Sequence, residues 1–405
     1  MKSKSLKSPI LASLIAFVIA AGLGLALRWA FVLDMPEWFD YRNVQHAHSH
    51  VALLGWLFGI FSLSIIYYFN LDFSRYSKLY WALQAMVVGM LLTFPIMGYA
   101  ALSIVFSTGH ILLSYLLAYR LWRDIGLHGK DEVHKLFVKT SLFFMVLSTI
   151  GTWAIGPIMA IGQKGTAIYY ASIQFYLHFQ FNGWFIFAMI GIAIAMMQKK
   201  GILFQWQKLR QFYILLVIST VLTYALAITW STPDIGIFVV NSIGVMLQLL
   251  ALIVFLRLIF DKRKEIKNEF YSYIYNVMFI ALFALALKII IQAIVVIPYM
   301  AEVSYTIRNF VIGFIHLLML GCLSLFSFGS ISKIIQRDLS NSGTWFFLLG
   351  VIFTELLLFV QGFMVWQGWG FMPYYYLLLG MGSLLILVGI VMIVLDLSRL
   401  KLNKK

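Results

Sequence analysis

The chain has 405 residues, 62% of them hydrophobic and only 11% charged, with a formal net charge of +15. A soluble domain carries about a quarter charged residues and cannot show this much apolar surface to water, so lipid is the solvent the sequence requires. The positive charge does not mark a nucleic-acid binder, because the basic residues fall in short clusters between apolar runs, not on one aromatic-studded face. A single cysteine, Cys322, excludes an internal disulfide and a CxxCH haem attachment.

About 20 apolar residues cross a bilayer, and that length predicts twelve spans: 9–33, 46–69, 79–99, 100–122, 135–162, 168–198, 211–230, 236–260, 271–298, 304–329, 344–366 and 373–396. The expected fold is an all-α polytopic membrane protein, one transmembrane helical domain over 1–405. The first run, from Pro9, exceeds the apolar core of about 7–15 residues in a cleaved signal and reads as an uncleaved helix. Around Tyr99 two spans meet with almost no loop.

Orientation follows from Lys and Arg. With the N-terminus inside, the inner loops carry Arg75 and Lys78; Arg123, Lys130 and Lys135; Lys199, Lys200, Lys208 and Arg210; Lys262, Arg263, Lys264 and Lys267; Lys333 and Arg337; and the tail adds Arg399, Lys401, Lys404 and Lys405. The outer loops carry little beyond Arg42, Lys164 and Arg308. The N-terminus is thus expected in the cytoplasm, in a bacterial-type inner membrane. No soluble domain, low-complexity tract or internal repeat is evident. Trp38, Tyr41, Trp366 and Trp369 in the outer loops suit interfacial anchoring.

Two of the eight histidines, His128 and His134, fall in a basic inner loop and read as solvated. The other six lie on even-numbered spans, which all run from outside to inside: His46, His48 and His50 on the second, His110 on the fourth, His178 on the sixth and His316 on the tenth. His110, His178 and His316 sit roughly 15–18 Å below the outer surface, near mid-bilayer. His46 is at the rim and His50 about one turn in. Any one of them could simply bond a neighbouring backbone or hydroxyl. Several at one level on separate helices point to a metal or haem site, since neutral imidazole suits iron, copper and zinc. His46 and His50 share a helix face, and His48 points elsewhere.

These stretches resemble the large subunit of the haem–copper oxidase and nitric oxide reductase superfamily. His46-Ala-His-Ser-His-Val-Ala-Leu-Leu-Gly55 resembles its second-helix pattern, His178-Phe-Gln-Phe-Asn-Gly183 its sixth and His316-Leu-Leu-Met-Leu-Gly321 its tenth. The NnrS family offers a second resemblance, through His46-Ala-His48, His110, and His316 before Gly321. The superfamily's histidine pair on the seventh helix is missing from 211–230, Phe314 stands where a second tenth-helix histidine would be, and Asn182 replaces the family's Tyr or Glu. The resemblance therefore implies one bis-histidine haem b between the second and tenth helices. Its ligands would be His316 and either His46, by pattern, or His50, by depth. It also implies a reduced second site for copper or non-haem iron from His110, His178 and His48 or His50. The function implied is electron transfer, or binding or reduction of a small gas such as nitric oxide or oxygen, with an electron-donor subunit or cytochrome as partner. The incomplete ligand set leaves turnover open.

Arg42 and Arg308, at the outer rim, are candidates to pair with haem propionates or to act as anchors. Lys288 on the ninth span and Glu355 on the eleventh are too deep to snorkel easily and read as a buried ion pair or a proton path, with Asn241, Gln248, Gln292 and Gln361 as polar companions. A proton-coupled secondary transporter is the rival class.

Overall fold

The computed structural model describes residues 6–126 and 132–399. His128, Lys130, Lys401, Lys404 and Lys405 lie outside the described residues. Inside lipid a helix satisfies its own backbone, so long apolar runs become helices. Twelve of them are long and apolar enough to cross a membrane: α1 (Lys7–Trp29), α2 (Tyr41–Tyr68), α3 (Ser74–Met97), α4 (Ala101–Asp124), α5 (Val133–Ala160), α6 (Ala167–Gln198), α7 (Trp206–Ile228), α8 (Ile235–Asp261), α9 (Ser272–Ile294), α10 (Arg308–Ile335), α11 (Asn341–Trp366) and α12 (Tyr375–Arg399). The protein is an all-α polytopic integral membrane protein.

Two boundaries differ from the hydropathy reading. α2 starts at Tyr41, because the Asp40 carboxylate accepts the Asn43 backbone N–H at 2.8 Å and caps the helix. The polar run Tyr41–Gln45 thereby becomes the first turn of the span. α10 continues to Ile335 through serines that lower its hydropathy. The Ser327 hydroxyl bonds the Leu323 carbonyl at 2.7 Å, and Ser330 meets Ser64 Oγ at 2.9 Å. The join at Tyr99 is a tight turn on Gly98, whose φ of +58° suits glycine. Ser103 Oγ accepts the Ala100 N–H at 2.9 Å and bonds the Gly98 carbonyl at 2.6 Å, closing it. His134, read above as a solvated loop residue, instead lies half-buried in the first turn of α5.

Contacts divide the chain into two compact units: 1–117, 276–280 and 312–405 form the first, and 118–275 with 281–311 the second. In the first unit α12 packs along α1 and α11. The α11–α12 seam depends on glycine. A Cβ on Gly350 would stand 2.8 Å from the Gly382 carbonyl oxygen, and one on Gly343 2.9 Å from that of Gly389. Small residues of this kind let transmembrane backbones approach closely. Gly350→Leu is therefore expected to cost about 1–3 kcal/mol by overpacking, read as a lowered unfolding midpoint in detergent; an unchanged midpoint would contradict this seam.

α2, α6 and α10 share one local construction. Each is α-helical up to a histidine (His50, His178, His316), then π-helical over Val51–Leu57, Phe179–Phe185 or Leu317–Ser324, then α-helical again. Each π segment holds a glycine five residues after its histidine: Gly55, Gly183 and Gly321. The same histidine-to-glycine spacing thus recurs on every fourth span. π segments inside α-helices frequently occur at functional sites.

Candidate functional site

In the first unit, Ala16, Ala20 and Gly24 place small residues of α1 against α2. Ala16 and Ala20 share a buried core with Ala47, Val51, Leu54, Val87, Met90 and Phe94. The gap at Gly24 is filled by an imidazole: a Cβ there would lie 2.9 Å from His48 Cε1. His48 Nδ1 sits 2.8 Å from the Ala20 carbonyl oxygen. A carbonyl only accepts, so Nδ1 carries the proton and Nε2 keeps its lone pair. A backbone partner on one ring nitrogen orients the other as a metal ligand.

Hydrogen bonds set the register of α2 against α10. Trp56 Nε1 donates to Ser324 Oγ at 2.9 Å, and Ser64 meets Ser330 at 2.9 Å. His48 stands eight residues before Trp56, and His316 eight before Ser324. The two bonds differ in offset by two residues, so His48 and His316 stand within about one turn of each other on neighbouring helices. Arg28, in the last turn of α1, lies close enough for its charge to act on His48, His316 and Glu355. Among the described residues His316 makes no hydrogen bond through its ring.

The other histidines of this unit are arranged differently. His50 Nδ1 faces the His46 carbonyl at 2.9 Å, its ring stacked on Phe94 with centroids 4.4 Å apart. His46 lies edge-on to Tyr99 at 4.7 Å, near Arg42 and Asp40. His110 is buried against Phe58, its Nε2 without a hydrogen-bond partner, and His50 is the titratable neighbour that acts on it. His48 faces another way from His46 and His50, as its helical spacing implies. Its ring turns to α1, within about one turn of His316, while His46 and His50 face the aromatic side made by Phe94 and Tyr99.

The second unit holds His178 and Lys288. His178 Nε2 lies 2.7 Å from the Thr220 carbonyl oxygen and must donate to it. Its Nδ1 then accepts from Asn182 Nδ2 at 3.3 Å. In this arrangement both ring nitrogens of His178 are hydrogen-bonded. Lys288 Nζ donates to Asn182 Oδ1 at 2.6 Å and to Gln292 Oε1 at 2.7 Å, and the side chain is fully buried. Neither carboxyl oxygen of Glu355, in the first unit, has a hydrogen-bond partner among the described residues. Beside the network lies a cavity with about 20 Å³ open to the centre of a water molecule. It is lined by apolar side chains and by Asn182, Thr220 and Gln248. Gln361 does not join a polar path. It clasps the outer loop, donating to the Gly370 carbonyl at 3.0 Å and accepting the Met372 N–H at 2.8 Å. Arg308 is exposed at the start of α10.

Among the described residues no three His, Cys, Asp or Glu side chains form a metal-binding group. The structure instead brings together His48, His316, Arg28 and Glu355. Sequence reasoning passed over Arg28 because it ends an apolar run where an inner-rim or outer-rim basic residue is ordinary. Its depth relative to His48 depends on how α1 packs. Compared with known proteins, the chain matches no family model and no curated sequence.

Proposed function

We propose that the chain is a haem-binding membrane protein of the inner membrane that passes electrons or handles a diatomic gas, with one haem b held between His48 and His316. The observation that carries the reading is that His48 and His316 stand within about one turn of each other on α2 and α10, with the Ala20 carbonyl holding the His48 proton on Nδ1. The donor set fits the group. Two neutral imidazoles suit an iron porphyrin, and the Arg28 guanidinium beside them suits a propionate. When bound, the haem would supply one-electron chemistry. The protein's part is to hold the rings in place, to keep Arg28 near the carboxylates and to exclude water with the apolar faces of α1, α2 and α10. Arg42 and Arg308, both exposed, remain candidates for rim anchors and fit this role less well than Arg28 does.

The test is an oxidised and dithionite-reduced spectrum of protein purified in mild detergent and supplied with haem, with a pyridine haemochrome count. A sharp reduced α-band of one haem b, absent in His316→Ala, is expected. A protein that stays colourless with added haem would overturn the reading. Gly24→Ala pushes on the His48 ring and should weaken haem retention on the order of tenfold, as loss of an orienting contact does; unchanged retention would show that Gly24 does not position the ligand.

The second reading is a proton-coupled transporter, and one observation favours it: a fully buried lysine in a hydrogen-bonded network beside a small polar-ended cavity. It predicts no haem, so the same spectrum separates the two.

A further inference from the structure

We propose that the second unit binds a water molecule between Gln248, Thr220 and Asn182, and that this water joins α8 to the Lys288 network. The site is independent of the haem reading. Gln248 lies halfway along α8 and is 2% exposed, and its Oε1 has no hydrogen-bond partner among the described residues. A buried amide oxygen left unbonded is costly, and nearly all such groups in folded proteins bond to protein or to ordered water. Gln248 lines the cavity described above, and Thr220 of α7 and Asn182 of α6 are the other polar residues of its wall. The cavity offers about 20 Å³ to the centre of a water molecule. One buried water needs roughly 10–15 Å³ by that measure and roughly two to four polar partners. The space and the wall meet both conditions, and an organic headgroup or a hydrated ion is too large for it.

The shape of the cavity follows from how α7 and α8 pack. A Cβ on Gly244 would stand 2.8 Å from Leu222 Cβ and 2.9 Å from the Thr223 backbone nitrogen, so the two helices close tightly one turn before Gln248. Beyond that seam Phe212, Leu216 and Thr220 of α7 share the cavity wall with Gln248, Leu252 and Phe255 of α8. On both helices the polar residue is the one nearest the seam, so the water has one polar end to settle in. The backbone is irregular there too. Asn182 lies in the π segment of α6, and α7 is interrupted at Thr223, whose Oγ1 bonds the Ser219 carbonyl at 2.8 Å. Such irregularities recur at functional sites in membrane helices. An amide oxygen only accepts, so the water donates to Gln248 Oε1, and its own oxygen accepts from a wall donor. Asn182 also accepts from Lys288 Nζ at 2.6 Å and bonds His178 at 3.3 Å. A water on Asn182 and Gln248 therefore ties α8 into the network that α6, α7 and α9 already share.

The experiment is hydroxyl-radical labelling of the full chain in mild detergent. A short X-ray pulse makes radicals from water, including bound water, and mass spectrometry reads the side chains they oxidise. Phe212 and Phe144 are both 2% exposed, but only Phe212 lines the cavity. Phe212 should be oxidised several-fold faster than Phe144 in the wild type. Gln248→Leu should bring Phe212 down to the Phe144 rate, and Thr220→Val should lower it as well. A density map of the wild type in lipid nanodiscs, sharp enough to show waters, should place one compact peak within hydrogen-bonding distance of Gln248 Oε1. Equal labelling of the two phenylalanines in the wild type overturns the proposal, and so does an excess at Phe212 that persists in a folded Gln248→Leu protein. A map with no peak there, or with the elongated density of a lipid or detergent chain, overturns it too. None of these outcomes touches the haem α-band, which tests the other reading separately.

Discussion

His48→Ala is expected to abolish the reduced α-band, while His46→Ala leaves it intact. The two residues are separated by two positions on one helix, so a merely structural account of the segment would predict similar losses. Geometry separates them. His48 turns to α1, where the Ala20 carbonyl at 2.8 Å holds the proton on Nδ1 and leaves the lone pair on Nε2. His46 sits edge-on to Tyr99, in the company of Arg42 and Asp40. His50 forms the intermediate case: its tautomer is also set for ligation by a carbonyl, but its ring lies flat on Phe94. His50→Ala should therefore keep the haem and leave the band shape nearly unchanged. Haem content per chain after gel filtration, with helical content checked by circular dichroism, decides the matter. Haem lost from His46→Ala and kept in His48→Ala would reverse the assignment and return it to the spacing to Gly55.

The second large effect is expected at Lys288. Its ammonium is fully buried and bonds Asn182 Oδ1 and Gln292 Oε1. Lys288→Met keeps the volume and removes the donors, leaving one buried and one half-buried acceptor unsatisfied. At about 1–3 kcal/mol for each such group the cost is about 2–6 kcal/mol. Asn182→Leu should cost less than the sum implies when added to Lys288→Met, because the two share one network and their effects are not independent. His178 is held by the same asparagine, so Lys288→Met should also loosen the His178–Thr220 contact. Unfolding midpoints of the single and double variants in one detergent test this. Additive losses would mean that the network is not coupled. A Lys288→Met protein as stable as the wild type would mean that the buried charge is not a structural element of the second unit.

Much of the fold was legible in the sequence because lipid imposes a simple rule. An apolar run of about 20 residues must close its own hydrogen bonds and so becomes a helix. All twelve spans follow from that rule, and their number needs no contact between them. The boundaries that it missed are those where polar residues belong to a helix for local reasons: Asp40 capping α2, and the serines of α10 bonding carbonyls one turn back. The repeated histidine-to-glycine spacing at His50, His178 and His316 was also present in the sequence. It does not stand out there, because His46 offers a second and longer spacing to Gly55.

The site was only partly legible. The sequence by itself determined which side chains could ligate, and at roughly what depth, because depth in a membrane helix is a count of residues. It could not determine which of them meet. That depends on rotation and register between helices, which a Trp56–Ser324 bond and a small-residue face on α1 decide. Hence Glu355 falls where the charge of Arg28 acts on it. Hence also His178, which looks in sequence like its counterparts His50 and His316, spends both ring nitrogens on Thr220 and Asn182. Residue spacing fixes a side chain's face on its own helix; the partner across the interface is chosen by how closely two backbones can approach, and that is a property of the packed structure alone.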